Sequence, residues 1–131
     1  MKAAEKRGAL VLRIDGALRF VSAAVALRVA PPPRVTPVPG APPELVGIAM
    51  HEGTVVPVVA VGPELGRMIV CQYGGEQLGI VGAEIVCTGL FDLAGEGADR
   101  ILHEGQAVER LELDRLYASV QVGARRGRWG N

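Results

Sequence analysis

One stretch decides the fold: residues 36–61, which read TPVPGAPPELVGIAMHEGTVVPVVAV. It begins inside a cluster of seven prolines between Pro31 and Pro43, which cannot join a central sheet and must lie extended. The cluster is either a polyproline ligand or a rigid connector, and the proline spacing around Arg34 favours the connector. Two apolar runs then flank the tripeptide HEG at 51–53, which predicts a β-hairpin with a short loop. Pro57 in the outgoing run indicates an edge or a bulge there.

Further turn signals lie on both sides of this stretch. Asp-Gly at 15–16 and Gly-Gly at 74–75 each separate two apolar runs, which predicts two tight hairpins. A second His-Glu-Gly, at 103–105, predicts another hairpin. The remaining patterns predict strands over 23–30 and 83–90, an acidic loop over 92–100, and a helix over 114–120 capped by Asp114.

The turn signals repeat along the chain. The two tight turns lie 59 positions apart, and the two His-Glu-Gly tips lie 52 positions apart. Each approximate half, 9–61 and 67–122, carries one hairpin of each kind, and the two subdomains are either consecutive or intertwined. The repeat predicts two small β-barrels of one plan within a single domain spanning residues 1–131. Residues 123–131 form a basic tail that is either frayed or in contact with an acidic partner.

The composition favours an all-β domain and excludes several classes of protein. With 18 Gly, 9 Pro and 4% aromatic residues, the chain is rich in turns and has an aliphatic core, which excludes a helix bundle. A formal net charge of zero provides no basic field for nucleic acid, and no apolar run is long enough for membrane insertion. Cys71 and Cys87 have no CxxC partner, which indicates buried free thiols in a cytoplasmic protein.

No residue pattern indicates catalysis. Ser22 and Ser119 lack the setting of a nucleophile. His51 and His103 each precede Glu-Gly and are interpreted as exposed turn residues, since a metal site would need further carboxylates converging on them. We therefore expect a protein that is not an enzyme and that holds no cofactor and no metal.

The chain offers apolar surface instead. The run from Val55 to Val61 is apolar on both faces, which a free antiparallel edge does not normally show. One face must pack inside, while the other meets a second barrel or a partner. This pattern predicts a protein-binding module.

The order of these features resembles that of the CheW family, the coupling proteins of bacterial chemotaxis. In that family a proline-rich connector leads to a glycine, an Asn-Leu-Arg-Gly hairpin tip and a Pro-Val strand. The matching positions here are Pro37, Pro39, Gly40, Pro42, Gly47, Gly53, Pro57 and Val58. Residues 10–29 resemble the opening hairpin and strand of the family, 79–81 its Gly-Leu-Leu-Val strand, and 108–116 its closing segment.

The resemblance implies an all-β fold of two small five-stranded Src-homology-type barrels that share a hydrophobic core, with one short C-terminal helix. It also implies a non-catalytic adaptor. Such an adaptor bridges the cytoplasmic tips of chemoreceptors to the regulatory domain of a CheA-type histidine kinase. The alternatives are a small-ligand-binding or accessory β-barrel, and a CheW-like structural remnant with altered partners.

Four positions depart from the family pattern. At the hairpin tip, Met50 stands where the family has Asn, and Glu52 stands where it has Arg. Ala60 and Ala83 occupy two positions that are acidic in the family. Since glycines and prolines are kept while charges are lost, inheritance of the fold is better supported than inheritance of the partner.

The matching motif also implies a partner surface. Its residues are Val35, Val38, Glu52, Gly53, Val55 and Pro57. Plain core packing is the alternative for Val38 and Val55, whereas Glu52 is expected to be an exposed charge with no structural role.

Overall fold

The structure, a computed structural model, describes residues 6–95 and 99–127, with side chains up to Val120. This part of the chain forms ten strands and one helix. They are β1 Lys6–Ile14, β2 Ala17–Ser22, β3 Ala26–Ala30, β4 Leu45–His51, β5 Thr54–Ala60, β6 Met68–Tyr73, β7 Glu76–Val81, β8 Glu84–Asp92, β9 Arg100–His103, β10 Gln106–Arg110 and α1 Leu113–Gly127. The strand predicted from residue 23 begins only at Ala26, because Val25 N–H donates to Ser22 O in a turn, at 2.9 Å. Within the loop predicted over 92–100, residues 96–98 lie outside the described part.

The strands form two five-stranded sheets, ordered β8-β1-β2-β10-β9 and β3-β6-β7-β5-β4. Unit 1 contains the first sheet and combines the segment ending at Ala26 with 84–111; unit 2 combines 27–83 with the segment from Glu112. The units therefore alternate along the chain and differ from the consecutive ranges 9–61 and 67–122. The reason is that β2 pairs with β10, and β5 with β7, in parallel. Parallel neighbours cannot be joined by a tight turn, so each sheet takes strands that are not consecutive.

The two units repeat one plan, which confirms the prediction made from turn spacing. Hairpin β1–β2 corresponds to β6–β7, β9–β10 to β4–β5, and β8 to β3. The parallel registers also agree: Arg110 pairs with Phe20 in unit 1, and the equivalent residues Val58 and Gly79 pair in unit 2. The tight hairpin and the His-Glu-Gly hairpin within one unit, however, come from opposite halves of the sequence.

Among the described residues, four two-residue turns close the hairpins. Asp15, Glu52 and Glu104 have φ of 49°, 49° and 51°, and each is followed by a glycine that also has positive φ. Such angles fit the type I′ turn, whose twist matches that of the flanking strands. His51 and His103 are consequently the last residues of their strands and are half-buried, so the expectation of exposed turn histidines was wrong.

Each unit has its own buried cluster. In unit 1 it consists of Ala9, Val11, Phe20, Ile101 and Val108. In unit 2 it consists of Ala30, Ala49, Val58, Met68, Val70 and Val81.

Short bridges outside the strands join the outer strands of each sheet. Leu93, after β8, pairs with Ile101 of β9, and Thr36, beyond β3, pairs with Ile48 of β4. Closure of this kind is typical of small barrels. The all-β class with two five-stranded sheets and a C-terminal helix is thereby confirmed.

Helix α1 begins at Leu113, so Asp114 lies in its first turn instead of capping it. Leu113, Tyr117 and Val120 are buried, at the spacing of an amphipathic face. The helix packs on β4 and β5. Of the predicted tail 123–131, the residues up to Gly127 continue the helix, and 128–131 lie outside the described residues. No helix in the described ranges is long and apolar enough to span a membrane.

Candidate partner-binding hairpin

The β4–β5 hairpin exposes an apolar pair beside its turn. Met50 and Val55 are cross-strand partners and are 65% and 48% exposed. Because side chains alternate along a strand, their neighbours Ala49 and Val56 face the other side and are buried. The adjacent side chains of Met50 and Val55 form a small exposed apolar surface that a partner can cover. We refer to Met50 and Val55 as the tip pair.

Glu52, in the turn itself, has a partner within the chain. Its Oε1 accepts a hydrogen bond from Nη1 of Arg28 in β3, and its Oε2 lies 3.9 Å from Nε2 of His51. The expectation that Glu52 has no structural contact was therefore wrong. The two side chains of the pair are 57% and 65% exposed, so solvent screens their attraction.

The continuation of β5 is buried on both faces. Val56, Val58 and Val59 are fully buried, and Pro57 is buried as well. β5 lies between β4 and β7, so Pro57 does not mark an edge strand. A proline is tolerated there because pairing with β7 begins only at Val58, so the N–H that Pro57 lacks is not needed for a hydrogen bond to β7. The irregularity of the ladder lies in β4, between Leu45 and Gly47.

The connector is pinned to β4 by a pair of backbone hydrogen bonds. Thr36 N–H donates to Ile48 O, and Ile48 N–H donates to Thr36 O, both at 2.8 Å. A Cβ on Gly47 would collide with the Thr36 carbonyl, so this close approach requires glycine. Val35 packs against the buried cluster of unit 2, and Val38 is half-buried.

The six residues assigned from the sequence thus fall into two groups. Glu52, Gly53 and Val55 are exposed together at the end of the hairpin, where a partner can reach them. Val35, Val38 and Pro57 are half-buried or buried, where a partner reaches them less readily.

Sequence reasoning missed Arg28 and the exposure of Met50 as parts of this surface. Met50 could have been found from the alternation along β4, since its neighbour Ala49 faces inward. Arg28 had no such signal, because its approach to Glu52 follows from how the sheet brings β3 and the β4–β5 turn together.

Neither cysteine lies in the β4–β5 hairpin, and the surroundings of both indicate no catalytic role for their thiols. Burial raises the pKa of the Cys71 thiol to about 12, which keeps it protonated. Burial, and secondarily Cys71, also raise the pKa of the Tyr117 hydroxyl. Cys87 is half-buried, with its Sγ 3.8 Å from Nδ1 of His103. Among the described residues no group of three or more His, Cys, Asp or Glu side chains is placed to hold a metal ion.

Comparison with known proteins establishes the fold class. No protein-family model and no curated protein sequence matches the chain. Among solved structures, the chain is similar to the scaffolding protein TtCheW from Thermoanaerobacter tengcongensis, with a TM-score of 0.69 and 12% sequence identity. The similarity covers 82% of this chain and 90% of that one. The fold is therefore CheW-like.

Proposed function

We propose that this chain is a non-catalytic adaptor that acts in the cytoplasm in a chemotaxis-type signalling system. In this role it couples the cytoplasmic tips of chemoreceptors to the regulatory domain of a CheA-type histidine kinase. The observation that supports this most is the similarity in fold to a scaffolding protein over 82% of the chain.

The tip pair is the contact surface we propose for one of these partners. Met50 and Val55 present two adjacent apolar side chains that a partner can desolvate. Glu52 and Gly53 lie next to them in the turn, while Val35 and Val38 are half-buried in the connector and Pro57 is buried within β5. A compact apolar centre with polar neighbours is the usual arrangement of an energetically dominant contact.

We expect the partner to differ from the partners of typical CheW proteins, or to carry changes on its own surface that match those in this chain. Met50 is apolar where the family has a polar Asn, and Glu52 is acidic where the family has Arg. The charge of Glu52 is balanced by Arg28, so this end of the hairpin presents apolar surface next to a neutralised ion pair. A matching partner surface would itself be apolar at its centre.

Calorimetric titration tests the proposal, using a CheA-type regulatory domain and a chemoreceptor tip from the genome that encodes this chain. Met50→Asp is expected to weaken the affected complex at least tenfold, because it places a charge in an apolar contact. The matched control is Leu102→Asp, at the equivalent position of the β9–β10 hairpin, where the side chain is 39% exposed. It is expected to change the affinity less than twofold.

Two results would contradict the proposal in different ways. No complex of the unmodified chain with either protein would refute the adaptor role and favour a structural remnant. Equal weakening by both substitutions would leave the adaptor role intact but would show that the tip pair is not the contact surface.

A further inference from the structure

The helix of unit 2 lies where two parallel strands of its sheet diverge. β5 and β7 pair only from Val58 and Gly79 onward. Helix α1 packs on β4 and β5, and its Tyr117 hydroxyl donates to the carbonyl oxygen of Glu76, the first residue of β7, at 2.9 Å. The Tyr117 ring also lies 5.5 Å from that of Tyr73, at the end of β6. The helix therefore connects β5 with the first residue of β7.

In unit 1 the two parallel strands β2 and β10 diverge in the same way, but no described helix of this unit covers the space between them. β2 and β10 pair only at Arg19 with Glu109 and at Phe20 with Arg110. On the N-terminal side of these paired residues, the two strands separate and flank an open groove of about 420 Å³. Its lining consists of Arg13, Gly16, Ala17, Leu18, Arg19, Gln106, Ala107 and Glu109. Ala17, the first residue of β2, is the counterpart of Glu76, and unit 1 has no helix among its described residues.

The charges of this groove favour an acidic occupant. Nη1 of Arg13 is held by Glu84 at 2.8 Å, and Glu109 lies 3.8 Å from Arg100. Nη1 of Arg19 donates to the Leu18 carbonyl at 2.7 Å, and no carboxylate of the described residues lies within ion-pair distance of Arg19. Arg19 is half-buried, where an ion pair is screened less than at the open surface.

We propose that this groove, between the first residues of β2 and β10, docks an amphipathic helix of a partner protein that directs a carboxylate at Arg19. A helix fits because α1 of unit 2 packs on β5, the counterpart of β10, and donates to Glu76, the counterpart of Ala17, while the free charge of Arg19 favours a carboxylate. The surface is separate from the tip pair, so the proposal does not depend on the adaptor role.

The probe that tests the proposal is a stapled, end-blocked peptide of residues 112–127 in which Arg115, Arg125 and Arg126 are replaced by Glu. It is titrated into the isotope-labelled full chain and followed by backbone amide shifts. Saturable shifts are expected at 16–19 and 106–109. Arg19→Glu is expected to weaken binding at least tenfold by reversing the charge. The control Arg67→Glu removes an exposed arginine of unit 2 and is expected to change the affinity less than twofold.

A second variant keeps the test decisive if Arg19→Glu does not fold. Ala107→Trp fills the groove from an exposed position of β10 and is expected to abolish the shifts. Unchanged binding by this variant, or no saturable shift with the unmodified chain, would overturn the proposal.

Three further results would also overturn it by assigning another occupant. Equal shifts with glutarate at the same concentration would indicate a simple anion site. Shifts at the β6–β7 hairpin would indicate that the peptide replaces α1 in unit 2. Shifts that grow with protein concentration without peptide would assign the groove to a second copy of this chain.

Discussion

Exchanging the charges of Arg28 and Glu52 separates what the pair does within the chain from what Glu52 does toward a partner. Glu52→Arg alone places two guanidinium groups together, and Arg28→Glu alone places two carboxylates together. The double variant restores an ion pair of reversed polarity. Arginine has no β-branch and occupies the positive φ of residue 52 at about the same cost as glutamate, so the turn itself contributes little to the difference.

The expected magnitude follows from exposure. Since the two side chains are 57% and 65% exposed, each single substitution is expected to lower the free energy of unfolding by roughly 0.5–1 kcal/mol. The double variant is expected to lie within about 0.5 kcal/mol of the unmodified chain. For a domain of this size, about 1 kcal/mol corresponds to roughly 3–5 °C in Tm.

Urea denaturation of the four proteins, at low salt and again in 0.5 M NaCl, measures the coupling. The coupling is expected to fall at high salt, because screening shortens the range of charge interactions. A double variant as unstable as the two single variants combined would refute the pairing. In the titration with the kinase domain and the receptor tip, a loss of affinity shared by Glu52→Arg and the double variant, and absent from Arg28→Glu, would show that a partner reads the sign of residue 52.

Three further substitutions test the local arguments. Glu104→Asn is expected to raise the free energy of unfolding by about 0.5–1 kcal/mol, because asparagine tolerates the φ of 51° better; Glu104→Ala should give no such gain. Gly47→Ala is expected to cost about 1–3 kcal/mol in urea denaturation by breaking both hydrogen bonds to Thr36, whereas Gly89→Ala, whose added Cβ meets nothing closer than 3.9 Å, should be near neutral. Burial raises the pKa of Cys71 from 9.0 to about 12, so the unfolded chain loses this proton first and stability falls above pH 9, by on the order of 1 kcal/mol near pH 10. Cys71→Ala should reduce that pH dependence and leave the part due to Tyr117, and an unchanged profile would contradict this explanation.

Much of the fold could be predicted because hairpins are encoded locally. The Asp-Gly, Gly-Gly and Glu-Gly turns mark all four hairpins, and the apolar runs beside them become strands. The spacing of these turns also predicted the internal repeat. The assignment of hairpins to units could not be obtained this way, because the parallel β2–β10 and β5–β7 contacts depend on strands that are not consecutive.

The exposure of the candidate site residues was predicted in part. Exposure of Glu52, Gly53 and Val55 agrees with a contact surface, while the burial of Pro57 does not. Burial of Pro57 was missed because a proline inside an apolar run favours an edge strand, whereas here the adjoining strand simply starts its pairing one residue later.

By itself, the sequence determined the turns, the strands, the connector and the aliphatic composition of the core. These depend on backbone preferences of glycine and proline and on side-chain alternation, which act over a few residues. Only the tertiary structure decided that Glu52 meets Arg28, that α1 packs on unit 2, and that the groove at Arg19 of unit 1 stays open. Each of these depends on contacts between segments far apart in the chain, and no local preference specifies which distant segment a strand or a charge will meet.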